Sequence, residues 1–240
     1  MSPSCSLETL WKEVTQKLDA AGLSFGHGAI NAESEALWII STALGYPPED
    51  TLDALDTNIS QDLKNQIDAW VDERVKTRQP LAYILGEAWL MGVPFYCDDR
   101  SIVPRSFIAE LIVDGHLEHW IPPNGKVLDL CTGNGSLAIL MALSCPDVQV
   151  SATDLSLQAL SLAAKNLDRH NLTEQIEVFQ GDLFEGIPTP SEDQKFDLII
   201  CNPPYVNAET MANLPKEYHA EPEISLAGGP DGMDIIRRII

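Results

Sequence analysis

The sequence predicts an α/β protein, a doubly wound and mostly parallel sheet preceded by a small helical domain. Three observations carry this. From Lys126 onward, short apolar runs alternate with helical patterns, the order of βαβ units. The first run ends in a glycine loop, Thr132-Gly133-Asn134-Gly135, at the start of a helix. The fourth, Leu198 to Cys201, stops at Asn202-Pro203-Pro204-Tyr205, because two successive prolines cannot donate to a sheet ladder.

The chain begins with helical periodicity. Leu7, Leu10, Trp11, Val14 and Leu18 share one face, Ser6 is placed to cap, and Gly22 follows the end. Asn31 caps a second helix through Leu44, with Gly45 as its stop. Ser60 starts a third, built on Leu63, Ile67, Trp70, Val71 and Val75. Residues 1–79 thus predict a helical bundle with its tryptophans in the core, a module for substrate recognition. Residues 80–105 predict a β-hairpin linker: Leu81 to Gly92 and Val93 to Val103 read as two β-rich arms. Residues 106–240 form the sheet domain. Ser106 caps a helix to about Trp120, and strands follow at Val127–Cys131, Val148–Asp154, Ile176–Asp182 and Leu198–Cys201. The intervening helices run from Ser136 to about Leu143 and from Leu157 to His170. Residues 187–194 read as a polar surface loop.

Composition limits the function classes. The 240 residues are 45% hydrophobic, enough for a core, and no apolar run reaches the roughly 18 residues of a membrane span. The first residues show no secretory signal. Five scattered cysteines, without a C-x-x-C pair, predict reduced thiols in a cytoplasmic protein and no structural zinc. His116 and His119 lack further ligands at metal spacing, and His27, His170 and His219 read as solitary surface residues. With 36 acidic and 15 basic residues, the net charge of −21 opposes direct binding to DNA. It suits either solubility or attraction to a basic protein.

The Asn-Pro-Pro-Tyr turn suits methylation of a planar amino nitrogen. The lone pair of an amide NH2 is delocalised, so the group is a poor nucleophile. The Asn202 side-chain oxygen and the Pro203 carbonyl can each accept one N–H, turning the lone pair toward an electrophile, while Pro204 stiffens the turn. Tyr205 can stack on the flat face. Orientation and charge placement then carry the catalysis. The loop Asp129-x-x-x-Gly133-x-Gly135 leaves two cofactors open. Gly133-x-Gly135-x-x-Ala138, with Asp154 further on, also satisfies the dinucleotide fingerprint. Asp129, aimed at the loop, favours the ammonium and sulfonium of S-adenosylmethionine (SAM) over a pyrophosphate. Asp182, ending strand three, is placed to hold an adenine amino group.

Asp-Leu-Cys-Thr-Gly-Asn-Gly (129–135), Ala-Thr-Asp (152–154), Gly-Asp-Leu-Phe (181–184) and Asn-Pro-Pro-Tyr-Val (202–206) together resemble the HemK/PrmB protein-glutamine N5-methyltransferases. The resemblance runs from about Gln79 to the end of the chain. It implies a class I SAM-dependent methyltransferase fold with SAM as cofactor. Asp154 and Leu155 would lie at the ribose, Cys131, Thr132, Gly133, Asn134 and Gly135 at the methionine end, and Asp182 and Leu183 at the adenine. Asn202 to Tyr205 would hold the glutamine amide. Residues 87–92 and 95–106 look more like the PrmB branch, which implies a large-subunit ribosomal protein as substrate. Ser106 and Phe107 stand where the release-factor branch has Pro-Glu, and Cys131 where it has Gly. The resemblance also implies further strands beyond the fourth, whereas this chain ends at Ile240. That predicts a C-terminally incomplete sheet with an apolar edge.

Rival readings are a peptide chain release factor glutamine methyltransferase, a nucleic-acid amino-N-methyltransferase, which uses a similar turn for a flipped base, a non-enzymatic ribosome assembly factor, and an NAD enzyme. Arg105 is a candidate for cofactor or substrate carboxylates. Glu217, Glu221 and Glu223 read as a solvated acidic face or a guide for a basic segment.

Overall fold

The computed structural model describes residues 6–187 and 195–240. The predicted surface loop lies largely outside the described residues, as does Cys5. Two compact units form, one of residues 1–86 with 215–220, the other of 87–214 with 221–240.

The helical unit follows its caps. Helix α1 (Leu7–Ala20) starts at Ser6, whose side chain accepts from the Thr9 amide. α2 (Ala32–Leu44) has a reciprocal capping box between Asn31 and Ser34 and stops at Gly45 in the left-handed region. A short helix not anticipated from the sequence, α3 (Pro48–Asp53), precedes α4 (Gln61–Thr77), which Ser60 caps. The buried core joins Leu7, Leu10, Leu18, Ile39, Ile40, Ile67 and Val71, with Trp11, Trp38 and Trp70 packed against it. Each fully buried aliphatic side chain contributes about 1.5–3 kcal/mol.

The same unit takes in residues 215–220 around a buried charge. Glu217 is wholly buried, accepts from the Ser24 amide at 3.0 Å and pairs with Arg78 at 2.6 Å. Arg74, also buried, pairs with Glu35 at 2.8 Å, and burial raises the Glu35 pKa above the usual carboxylate range. His27, read from sequence as a surface residue, is buried with its ring 4.3 Å from that of Tyr218.

The first hairpin arm begins later than its sequence suggests. Leu81–Leu85 is a helix, α5, with Leu81 and Ala82 buried and Gly86 closing it at φ 73°. An apolar run bounded by Pro80 and Gly86 fits either period, and its packing in the helical core decides for the helix. The hairpin itself is β1 (Glu87–Leu90) against β2 (Val93–Tyr96). α6 (Phe107–Val113) is also shorter than predicted. Gly115 at φ 74° ends the helical path, so His116 and His119 do not share a helix.

The sheet comprises β3 (Lys126–Leu130), β4 (Gln149–Asp154), β5 (Ile176–Gln180) and β6 (Leu198–Cys201), all parallel in the order β5-β4-β3-β6. Between them run α7 (Ser136–Ser144), buried from Ser136 to Ala142, and α8 (Leu157–Arg169). The fold is α/β, as predicted. Because β4 and β6 lie on opposite sides of β3, the chain changes its direction of winding there. Ligands bind in the crevice such a switch opens at the carboxyl ends of the strands. After β6 come α9 (Ala208–Ala212) and α10 (Ile236–Ile239). Among the described residues β6 is an edge strand, with Ile199 46% exposed.

Candidate functional site: a cleft at the carboxyl ends of β3, β4 and β6

At the end of β3 the chain enters the left-handed region at Cys131 (φ 58°), Gly133 (59°) and Gly135 (83°). For Cys131 that conformation costs about 1–2 kcal/mol, so its surroundings must hold it. Gly135 is favoured by its φ, and a Cβ there would also crowd Ala163 and Leu167 of α8 at 3.3 Å. The Asn166 side chain of α8 ties the loop to the hairpin. Its amide donates to the Asn134 carbonyl at 3.0 Å and the Tyr96 carbonyl at 3.2 Å, and its oxygen accepts from the Tyr96 amide at 2.7 Å.

Three acids surround this loop, each in a different state. Asp154, ending β4, accepts from the Gly133 amide at 2.8 Å and the Ser156 amide at 2.9 Å. Burial raises its pKa, while the hydrogen bonds from Ser156, Gly133 and Leu155 oppose that rise. Asp182 pairs with Arg238 at 2.8 Å. Asp129 departs from its sequence reading. It is fully buried and does not line the cleft; one carboxylate oxygen takes the Thr132 hydroxyl at 2.5 Å and the Ala138 amide at 3.2 Å. Burial lifts its pKa to about 7. It therefore organises the loop and the start of α7 from behind rather than facing a ligand.

The Asn-Pro-Pro-Tyr turn leaves β6 beside this loop. Parallel register pairs Leu130 with Cys201, bringing the Cys131 and Cys201 thiols into a hydrogen bond that raises the Cys201 pKa, as burial does. Backbone bonds hold the far end of the turn: the Val206 amide to the Leu226 carbonyl and the Gly228 amide to the Val206 carbonyl, both 2.8 Å. The Asn202 carboxamide makes no hydrogen bond to the described residues.

One cleft collects most of the predicted residues. Cys131, Thr132, Gly133, Asn134, Asp154, Leu155, Asp182, Leu183, Asn202 and Pro204 all line it. Gly135, like Asp129, stands behind the wall, and Pro203 is not at the lining. Tyr205 is 61% exposed and does not line the cleft. Sequence reasoning did not name Ser101, Ile102, Ile224, Ser225 and Ile235, which line it as well. They belong to no long helix or strand, so no periodic pattern marks them as cleft residues. Two other readings are corrected. Glu221 is buried and Arg105 half-buried, the two joined by a bidentate ion pair, and Glu217 is buried as described above. Neither glutamate belongs to a solvated face, because each is compensated by arginine.

The donor set fits a cationic, adenosine-bearing cofactor. Asp154 and Asp182 line the cleft, its arginine, Arg105, is already paired with Glu221, and Arg238 is paired with Asp182. A pyrophosphate would meet no uncommitted positive charge from these groups, whereas ribose hydroxyls and an adenine amino group would find carboxylate acceptors. The buried side-chain nitrogen of Asn134, a lining residue, has no partner among the described residues, so polar capacity remains at the loop. A Cβ at Gly133 would come 2.8 Å from the Ser101 hydroxyl, so only glycine leaves the space between them open.

Residues 110–218 match the methyltransferase small domain family and residues 9–86 the PrmC N-terminal domain family. The ribosomal protein uL3 glutamine methyltransferase of Burkholderia pseudomallei is 45% identical, matching 100% of this chain and 80% of its own length. The Bordetella pertussis enzyme of the same name is 45% identical over 98% of this chain and 78% of its own. That of Neisseria gonorrhoeae is 43% identical over 93% and 74%. With cleft, fold and relatives in agreement, the chain belongs to the SAM-dependent protein-glutamine methyltransferases, in the family of the ribosomal protein uL3 enzymes.

Proposed function

We propose that this chain methylates the side-chain amide nitrogen of a glutamine in ribosomal protein uL3 or a close counterpart. The observation that carries the reading is the convergence of Asn202 and Pro204 on the same cleft as the Gly133 loop and Asp154. Bound SAM supplies an electrophilic methyl group on a sulfonium. Asp154 and Leu155 would hold its ribose, residues 131–135 its amino-acid end, and Asp182 and Leu183 its adenine.

The turn does the rest. The Asn202 oxygen accepts one N–H of the substrate amide, fixing its plane and turning its lone pair toward the methyl donor. Preorganised acceptors of this kind stabilise the positive charge that develops on the nitrogen as it is alkylated. The proton then leaves to solvent, so no strong base is required. The helical unit would recognise the protein substrate, and the net charge of −21 would favour a basic one while disfavouring DNA. A ribosomal substrate places the reaction in the cytoplasm. Among the described residues, no helix is long and apolar enough to cross a membrane.

The test is to incubate the purified protein with undermethylated large ribosomal subunits and isotopically labelled SAM, then map the label by mass spectrometry. Label on a uL3 glutamine is expected. Label on ribosomal RNA, on another protein only, or nowhere would overturn the assignment.

A further inference from the structure

We propose that Glu221 is a positioning residue for methyl transfer, acting through Arg105 and Val103 to lock the part of the cleft lining formed by residues 101–106. The inference rests on the functional reading above and adds a residue that it does not contain. Residues 101–106 line the cleft through several positions but belong to no helix or strand, so no ladder of backbone bonds holds them. Between the ends of the segment, a carboxylate from elsewhere in the chain bonds two of its residues. Glu221, 5% exposed, accepts from the Val103 amide at 2.9 Å and from both Arg105 terminal nitrogens at 2.6 and 2.7 Å. Arg105 also donates back to the Val103 carbonyl at 3.2 Å, so the loop is gripped at two residues.

The anchor connects further. Glu221 lies two residues before a 3-10 turn (Glu223–Ser225), and Ile224 and Ser225 line the cleft too. The Leu226 carbonyl then accepts from the Val206 amide, just beyond the Asn-Pro-Pro-Tyr turn. The carboxylate therefore grips residues 101–106 from a segment that supplies two further lining residues and is itself bonded to Val206, just past the turn. A bidentate arginine–carboxylate pair fixes orientation as well as distance. A misplacement of about 1 Å in such a wall can lower the rate about a hundredfold.

Three variants test this: Glu221→Gln, which keeps an acceptor but loses the charge; Arg105→Met; and the double variant. Hydrogen–deuterium exchange of the Val103 amide is read in the protein without cofactor, beside its melting temperature, S-adenosylhomocysteine binding, and kcat and KM on ribosomal subunits. Glu221→Gln is expected to speed exchange at Val103 at least tenfold. It should lower kcat ten- to a hundredfold per binding-competent molecule, with the melting temperature shifted by no more than a few degrees. The double variant should be no slower than the worse single one, because both remove the same clamp. Unchanged Val103 exchange in Glu221→Gln, or additive losses in the double variant, would overturn the proposal. So would a fall in activity that merely tracks the folded fraction. If the parent protein itself transfers no methyl group, the functional reading fails, while exchange at Val103 still decides whether Glu221 holds the wall.

Discussion

Asn202 is the side chain on which the chemistry turns. It lines the cleft half-buried, with its carboxamide uncommitted to the described residues and so free to bond a substrate. Asn202→Ala should lower methyl transfer by about a hundred- to a thousandfold, the usual effect of removing one preorganised polar partner. S-adenosylhomocysteine affinity, measured by calorimetric titration, should stay within about threefold of the parent. Equal losses in both would mean that the side chain serves the cofactor instead. Asp129 makes a prediction of the opposite kind, because it acts without reaching the cleft. Its folded pKa of about 7 lies above the value near 4 of an unfolded chain. The folded state therefore holds this proton more tightly, and the stability so contributed is full below about pH 4 and lost as pH rises through about 7. Asp129→Asn removes that loss. Thermal melts of the cofactor-free protein should show the variant gaining on its parent between about pH 5 and pH 8; a constant difference would contradict a buried, late-ionising carboxylate.

At the scale of elements, the strands and helices that shape the cleft obey local rules, whereas their mutual alignment does not. The cap residues Ser6, Asn31, Ser60 and Ser106 stand where sequence logic puts them, each accepting from the first turn of its helix. The misread stretch Leu81–Leu85 is instructive, since five apolar or aromatic-rich residues between a proline and a glycine carry no decisive period. Burial of Leu81 and Ala82 made it a helix. Asn166 shows the same limit at the site. In sequence it is an ordinary polar residue on an amphipathic helix, yet it is fully buried and makes the three bonds that join α8, the hairpin and the cofactor loop. Asn166→Leu should leave two carbonyls and one amide without partners. A loss of about 3 kcal/mol in urea unfolding is expected, with weakened S-adenosylhomocysteine binding. Undiminished affinity would show that the loop keeps its shape without α8.

For the whole molecule, charge and sheet edge matter most. The excess of 21 negative charges keeps molecules apart in dilute salt, but that repulsion is screened as ionic strength rises. β6 then presents an edge with Ile199 exposed, among the described residues the outermost position on that side of the sheet. Ile199→Lys should reduce aggregation measured by light scattering at high salt, because inward or edge-placed lysines block strand addition. No reduction would place the sticky surface elsewhere, for instance at Phe107, which is 84% exposed.

Periodicity and turn chemistry determined, from the sequence alone, the order of elements, the strand ends and the glycine and proline turns at which the cleft opens. These are properties of neighbouring residues, set by side-chain spacing and by the φ values that glycine and proline allow. Tertiary structure alone decided which polar residues face a ligand and which are consumed by partners distant in the chain. Asp129 was taken inward, Glu217 and Glu221 were buried against arginines, and Ser101, Ile102 and Ile224 were brought to the cleft. The physical reason is that a buried charge is tolerable only where another segment supplies its counter-charge, and no local pattern records that meeting.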